Sequence, residues 1–200
     1  MNSPESDLAP GQASTAPHDL PVVIVLASGR GERFMASGAK VHKLQALLAG
    51  TPVLQLTLEA VRSSGLPWHL EDAGHPGMGE SIAAAVRATR DAPGWLVLPA
   101  DLPLVNAESL RRVADALAGS GGVVVPFFEG TRGHPVGFAA SCGDALAALT
   151  GDRGAQQILR AHEAAGLVTR MDLTDEGIVT DIDTLEDLAR AEALLVRRRR

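Results

Sequence analysis

Three polar stretches of this chain carry side chains able to handle phosphate or a divalent cation. The first is Leu26-Ala27-Ser28-Gly29-Arg30-Gly31-Glu32-Arg33-Phe34. Glycine lets backbone N–H groups come close to phosphate oxygens, and arginine adds a forked cationic donor. The stretch is not a dinucleotide fingerprint, because G-x-G-x-x-G needs glycine where Phe34 stands, and no G-x-x-x-x-G-K-[ST] loop occurs in the chain. Taken alone, it reads equally as a tight turn with no ligand. The second stretch is Pro99-Ala100-Asp101-Leu102-Pro103. An aspartate between two prolines, directly after an apolar run, can present its carboxylate to a metal or cap a turn. The third is Thr180-Asp181-Ile182-Asp183-Thr184-Leu185-Glu186-Asp187. Here Thr184 is placed as a helix N-cap with Asp187 in the capping-box position. Glu186 and Asp187 are then accounted for by capping and the helix dipole. Asp183 precedes the cap and has no such duty.

These stretches need elements that hold them. Val22-Val23-Ile24-Val25-Leu26 is a continuous apolar run, the mark of a strand buried on both faces. Residues 27–43 read as loop. A helix is expected over about 51–64, with Val53, Leu54, Leu58 and Val61 on one face. A short strand is expected at 68–71, a second Gly-rich turn at 73–80 and a helix at 80–90. Trp95 to Leu98 is a second buried strand ended by Pro99, and Asn106 can cap a helix reaching about Leu117. Gly122 to Val125 is a third apolar strand, followed by a polar excursion over 127–139. Short helices near 143–149 and 153–164, strands near 167–172 and 177–180, and a last helix over 184–196 complete the pattern. Strands alternating with helices imply an α/β layered sheet, mostly parallel. In such sheets ligands bind beyond the carboxyl ends of the strands, where the first two polar stretches lie.

Composition narrows the function classes. The chain has 200 residues, 46% of them hydrophobic, enough for one domain with a substantial core. A net charge of −6 disfavours a long polyanionic partner, and 3% aromatic residues with no tyrosine disfavour stacking on nucleic-acid bases. Cys142 is the only cysteine, so it has no thiol partner for a disulfide or a metal. Residues 1–20 are rich in Pro, Ser and Ala and read as a disordered leader with no secretory pattern. Residues 21–196 read as the single domain, and Arg197 to Arg200 as a solvated basic tail. No run of about 18 apolar residues occurs, so no membrane span is expected and the cytoplasm is the default location.

The three stretches together, in this order, resemble the MobA-like nucleotidyltransferases, most closely their molybdenum cofactor cytidylyltransferase branch. Further segments carry the same resemblance: His42-Lys43-Leu44, Gly77-Met78-Gly79-Glu80-Ser81, Arg132-Gly133-His134-Pro135-Val136-Gly137-Phe138 and Gly151-Asp152-Arg153-Gly154-Ala155. The matches run from about residue 22 to 190. Ser28 stands where the family usually has Ala or Gly. Only residues 66–76 separate the first long helix from the Gly-Met-Gly turn, where relatives usually have a strand, a helix and another strand. The resemblance therefore implies a Rossmann-like, mostly parallel central sheet flanked by helices, of nucleotidyltransferase type and lacking one β-α unit.

The resemblance also implies a reaction: attack by an acceptor phosphate on the α-phosphorus of a nucleoside triphosphate, with release of pyrophosphate. Mg²⁺ would be held by Asp101 and Asp183, with Asp181 a weaker third. Lys43, Asp101 and Arg33 would be catalytic. Ala27, Ser28, Gly29, Arg30, Gly31, Arg33, Lys43, Gly79 and Ser81 would bind the nucleotide. Arg132 and His134 would bind the acceptor, although His134, flanked by Gly133 and Pro135, also reads as a structural turn. CTP is the expected donor and a molybdopterin-type cofactor the expected acceptor, with a molybdoenzyme of the oxidoreductase class as a possible recipient. Another nucleotide, a sugar or alditol phosphate, or a non-catalytic carrier of the cofactor are the alternatives. His42, His69 and His75 read as surface residues, and Trp68 and Trp95 as core.

Overall fold

A computed structural model describes residues 19–198; residues 1–18, most of the expected leader, and Arg199 and Arg200 lie outside the described residues. The elements are β1 (Val22–Leu26), α1 (Glu32–Ala36), β2 (Leu47–Leu48), β3 (Thr51–Pro52), α2 (Val53–Ser64), β4 (Trp68–Glu71), α3 (Met78–Ala88), β5 (Gly94–Pro99), α4 (Ala107–Ser120), β6 (Val123–Phe128), β7 (Thr131–Arg132), β8 (Val136–Ala139), α5 (Gly143–Ala147), α6 (Gln156–Ala164), β9 (Val168–Asp172) and α7 (Leu185–Arg198).

The central sheet runs β4-β1-β5-β8-β6, with β7 pairing the end of β6 and β9 pairing β6 along its length. Pairs β1–β4, β1–β5 and β6–β9 are parallel, while β8 is antiparallel to both β5 and β6. Five strands therefore point one way and only β7 and β8 oppose them, so the sheet is mixed but mostly parallel. The short segment after α2 is accommodated simply. Its one strand, β4, forms the sheet edge, and the chain then turns directly into α3.

Side chains alternate across the sheet as the two-residue period of a strand requires. Val23, Val25, Leu96, Leu98 and Val124 join a core with Val53, Leu58 and Val61 of α2, Leu110 and Val113 of α4, and Ala191 and Leu194 of α7. Ile24, Trp95, Val97, Val123 and Val125 face Ile82 and Val86 of α3, Leu146 of α5 and Ile158 of α6. Uninterrupted apolar runs are thus explained by helices on both faces.

Four local expectations change. Residues 27–43 are not all loop: α1 forms within them, its start set by Gly31 in the left-handed region at φ 64°. The expected strand at 177–180 is a 3-10 turn over Glu176–Val179, begun by the Asp175 carboxylate accepting from Gly177 N. Asn106 occupies the N-cap of α4 but makes no side-chain cap. That duty falls to Asp175 Oδ2, which accepts from Asn106 N at 2.9 Å and Ser109 Oγ at 2.8 Å. Finally, α7 continues through Arg198, whose guanidinium donates to Leu104 O and Asp175 Oδ1, both at 2.6 Å. Two arginines of the expected basic tail are therefore helical, and one is anchored.

Candidate active site

The register β4-β1-β5 aligns Glu71, Leu26 and Pro99 across the sheet, so the loops that follow these three strands emerge side by side. Ala27 N donates to Glu71 O at 2.8 Å, and Ala100 N to Leu26 O at 3.0 Å. Thr57, buried on α2, anchors Ala100 O through its hydroxyl at 2.9 Å. Ile182 N donates to Asp101 O at 3.0 Å, which brings the segment before α7 onto the loop after β5. Leu185 N donates to Ser37 Oγ at 3.1 Å and ties the start of α7 to the end of α1. Side chains distant in the chain are thereby gathered at one end of the sheet.

At their centre is Lys43. Its ammonium lies 2.5 Å from Asp101 Oδ2 and 2.8 Å from Asp183 Oδ1. Arg33 Nη2 reaches Asp183 Oδ2 at 2.7 Å from a largely exposed position. Burial works against the Lys43 charge. The charge of Asp101 and hydrogen bonds to Asp101 and Asp183 outweigh it and hold the lysine pKa above its usual value. Asp101 Oδ1 is buried and has no hydrogen-bond partner among the described residues. A carboxylate oxygen so placed can accept from a donor or coordinate a cation. Asp181 lies outside the wall of the cavity. Its pKa is pushed up, first by partial burial and then by the charges of Asp101, Asp183 and Asp187.

These groups border a cavity of about 550 Å³. Ser28, Gly29, Arg30, Gly31, Arg33, Lys43, Ser81, Asp101 and Asp183 all line it. Gly29 faces open space, as a phosphate-approaching backbone needs. Gly31 is fixed from behind, since a Cβ there would lie 2.9 Å from His42 Nε2. That nitrogen bonds Gly29 O at 2.9 Å, so His42, expected as a surface residue, shapes the loop. Ser28 and Ser81 bond one another at 2.8 Å across the cavity floor.

Four expected site residues are not in the wall. Ala27 packs against the core. Gly79 is the contact of α3 with the 150–151 turn: its N donates to Gly151 O at 2.7 Å, and a Cβ would stand 2.6 Å from the Thr150 carbonyl carbon. Arg132 on β7 pairs with Glu163 at 2.7 Å on the surface. His134 donates its backbone N–H to Ile178 O at 2.9 Å, and its buried Nδ1 has no partner among the described residues. Burial lowers the His134 pKa against the opposing effects of a Val97 backbone hydrogen bond and the Asp101 charge. Conversely, His75, Pro76, Met78 and Asp152 line the cavity although sequence reasoning gave them no role. His75 had a signal, its place in the Gly-rich turn before Gly77; nothing local marked it as facing a ligand.

The donor set suits a hard cation. Two carboxylates from separate segments, one with an unused oxygen, leave the remaining positions to phosphate and water, the habit of Mg²⁺. Among the described residues no cluster of three or more His, Cys, Asp or Glu side chains could hold a metal alone. No helix among them is long and apolar enough to cross a membrane.

A family model described as MobA-like NTP transferase domain matches residues 57–165. A curated relative, the bifunctional protein GlmU of Desulfitobacterium hafniense, is 28% identical over 111 residues, covering 45% of this chain and 24% of GlmU. The chain thus spans about a quarter of the length of that relative. Among solved structures, a nucleotidyl transferase from Methanothermobacter thermautotroptrophicus (Mth528) superposes with a TM-score of 0.73 at 22% identity, over 90% of this chain and 99% of the other. Rv0371c of Mycobacterium tuberculosis H37Rv in complex with manganese gives 0.69 at 22% identity, over 87% and 98%. At that identity the likeness establishes the shared fold.

Proposed function

This chain belongs to the MobA-like NTP transferase family, and from that premise we propose that it moves a nucleotidyl group, CMP from CTP, to a molybdopterin-type phosphorylated acceptor with release of pyrophosphate. The observation that carries this reading is the Lys43 ammonium held between Asp101 and Asp183 beside the Gly29–Gly31 loop. Cation, paired carboxylates and open backbone amides at one cavity are what in-line nucleotidyl transfer needs from a protein: positioning and charge neutralisation.

In this reading the acceptor phosphate oxygen forms the new bond to the α-phosphorus while the bond to pyrophosphate breaks. The nucleophile is already ionised, so no general base is required. Arg30, Arg33 and the amides at 29–31 take the β- and γ-phosphates, and Lys43 neutralises charge at the α-phosphate. Ser28 and Ser81 meet the nucleoside. Asp101 and Asp183 would hold Mg²⁺, with Asp101 Oδ1 the free oxygen; when bound, the ion supplies positive charge against the phosphates. The manganese complex of Rv0371c supports a divalent ion in this fold. His134 and Arg132 serve the acceptor, beyond the present cavity wall. The enzyme would act in the cytoplasm and pass its product to a molybdoenzyme.

A second reading keeps the chemistry and exchanges the acceptor for a sugar or alditol phosphate. It is favoured by the position of Arg132 and His134, neither of which lines the cavity. The test is pyrophosphate release with Mg²⁺, supplying CTP, GTP, ATP and UTP in turn with molybdenum cofactor or with sugar and alditol phosphates. Release with CTP and cofactor supports the first reading, and release only with a sugar or alditol phosphate supports the second. Absence of release with every combination, from folded protein, removes both.

A further inference from the structure

The cavity has two chemically different sides, set by the strand order β4-β1-β5. On the β5 side stand Lys43, Asp101 and Asp183, with Arg33 bonded to the last. On the β4 side, past the Ser28–Ser81 hydrogen bond, stand His75, Pro76 and Met78. Neighbouring strands lie about 4.8 Å apart, so roughly 10 Å separates the two sides. A triphosphate held by the cations points its base toward β4. Asp152, on the turn packed against the start of α3, reinforces that polarity by repelling phosphate.

Glu71 on that side has no part in the reaction derived above. Its carboxylate closes the edge strand, is only 6% exposed, and has no lysine or arginine partner among the described residues. Instead Oε1 accepts from His75 Nε2 at 3.1 Å and from Ala73 N at 3.2 Å, and Oε2 lies 3.5 Å from His69 Nε2. A carboxylate can only accept, so when the His75 ring carries a single hydrogen, the contact with Glu71 Oε1 sets that hydrogen on Nε2. Nδ1, which makes no hydrogen bond among the described residues, is then an acceptor on a residue that lines the cavity.

We propose that His75, oriented by Glu71, reads the nucleobase and selects one that offers an amino group at its pairing edge, cytosine over uracil. The inference rests on the reading that this cavity binds a nucleoside triphosphate. Nδ1 accepts a hydrogen from the 4-amino group of cytosine. Uracil places a carbonyl oxygen there, so two acceptors face each other and both go unpaired on leaving water. His75 is the specificity-determining residue, and Glu71 positions it by fixing the tautomer.

Isothermal titration with Mg²⁺ and three probes tests this: CTP, UTP and tripolyphosphate, which has no base. The wild-type chain binds CTP more tightly than UTP. His75→Ala lowers the CTP-to-UTP affinity ratio by about tenfold, the worth of one hydrogen bond and its unpaired partner, and leaves tripolyphosphate binding unchanged. Glu71→Gln can donate its amide hydrogen to Nε2 and move the ring hydrogen to Nδ1, which shifts the preference toward UTP; a merely structural role of Glu71 would not do this. An unchanged ratio in folded His75→Ala overturns the proposal. So does an equal loss for CTP and UTP, which would place His75 at the sugar. If the wild-type chain binds tripolyphosphate but neither nucleotide more tightly, base reading is overturned and the phosphate site stands. If it binds none of the three, the proposed function fails with it.

Discussion

Lys43 keeps two carboxylates close together that would otherwise repel, and it does so where an incoming cation would also sit. In the proposed reaction the same side chain would be both a neutraliser of phosphate charge and a competitor of the cation. Lys43→Ala is expected to bind Mn²⁺ about tenfold more tightly in the absence of nucleotide, followed by the loss of the free Mn²⁺ paramagnetic signal, while turnover falls. Asp101→Asn removes charge from the carboxylate with the free oxygen and is expected to lower kcat by about 10²–10³-fold, with little change in thermal unfolding. His134 carries a different signature. Its folded pKa is lowered, chiefly by burial, so the unfolded chain binds its proton more readily. Its contribution to stability is complete above the usual histidine value near 6.5 and is lost as pH falls toward the lower, folded value. His134→Gln should flatten the decline in urea midpoint between pH 7.5 and 5.5 relative to the wild type. An unchanged slope would show that the ring titrates as it does in water.

At the level of elements, long-range bonds do work that local capping was expected to do. Asp175 caps α4, starts the turn after β9 and receives Arg198 from the end of α7. Asp175→Ala leaves several buried donors unpaired and is expected to cost about 3 kcal/mol in denaturant unfolding. Asp175→Asn, which keeps one acceptor, should cost less. Gly79 marks a second such contact. With a Cβ 2.6 Å from the Thr150 carbonyl carbon, Gly79→Ala must push the 150–151 turn away from α3. The expected result is a lower unfolding midpoint with a weaker affinity for nucleotide, because Met78, Ser81 and Asp152 of the cavity wall shift together. If stability holds and only affinity falls, Gly79 contacts the ligand after all.

For the whole molecule, the cavity wall is assembled from residues within 26–34, 43–44, 75–81 and 99–101 together with Asp152 and Asp183, and nothing but folding holds it together. Ligand binding and global stability are consequently linked. Saturation with Mg²⁺ and CTP at about a hundred times Kd should add ~2.7 kcal/mol, raising Tm by roughly 5–10 °C for a domain of this size. The same addition to Asp101→Asn should raise it far less. A scan of Tm against CTP concentration for both chains checks this, and equal shifts would separate the metal site from nucleotide binding.

The strands that carry the site could be read from residue order alone. Val22–Leu26 and the Trp95–Leu98 run were legible because burial on both faces demands unbroken apolar residues. That the Gly29–Gly31 loop and Asp101 would lie side by side was legible because each follows a buried strand, whereas Lys43 was singled out only by the resemblance and Asp183 only as the acid that the cap of α7 leaves over. The capping role of Thr184 with Asp187 was legible too, since its partners are three residues apart. The remaining contacts join segments far apart in the chain. His75 looks like one more exposed histidine until Glu71 bonds it at the mouth of the cavity. Asn106 looks like its own cap until Asp175 arrives from 69 residues away. Arg198 looks like a solvated tail until the end of α7 reaches Leu104. Local pattern follows backbone period and side-chain type, which every window of sequence displays. Pairing between distant segments follows sheet order and helix packing, which no window contains.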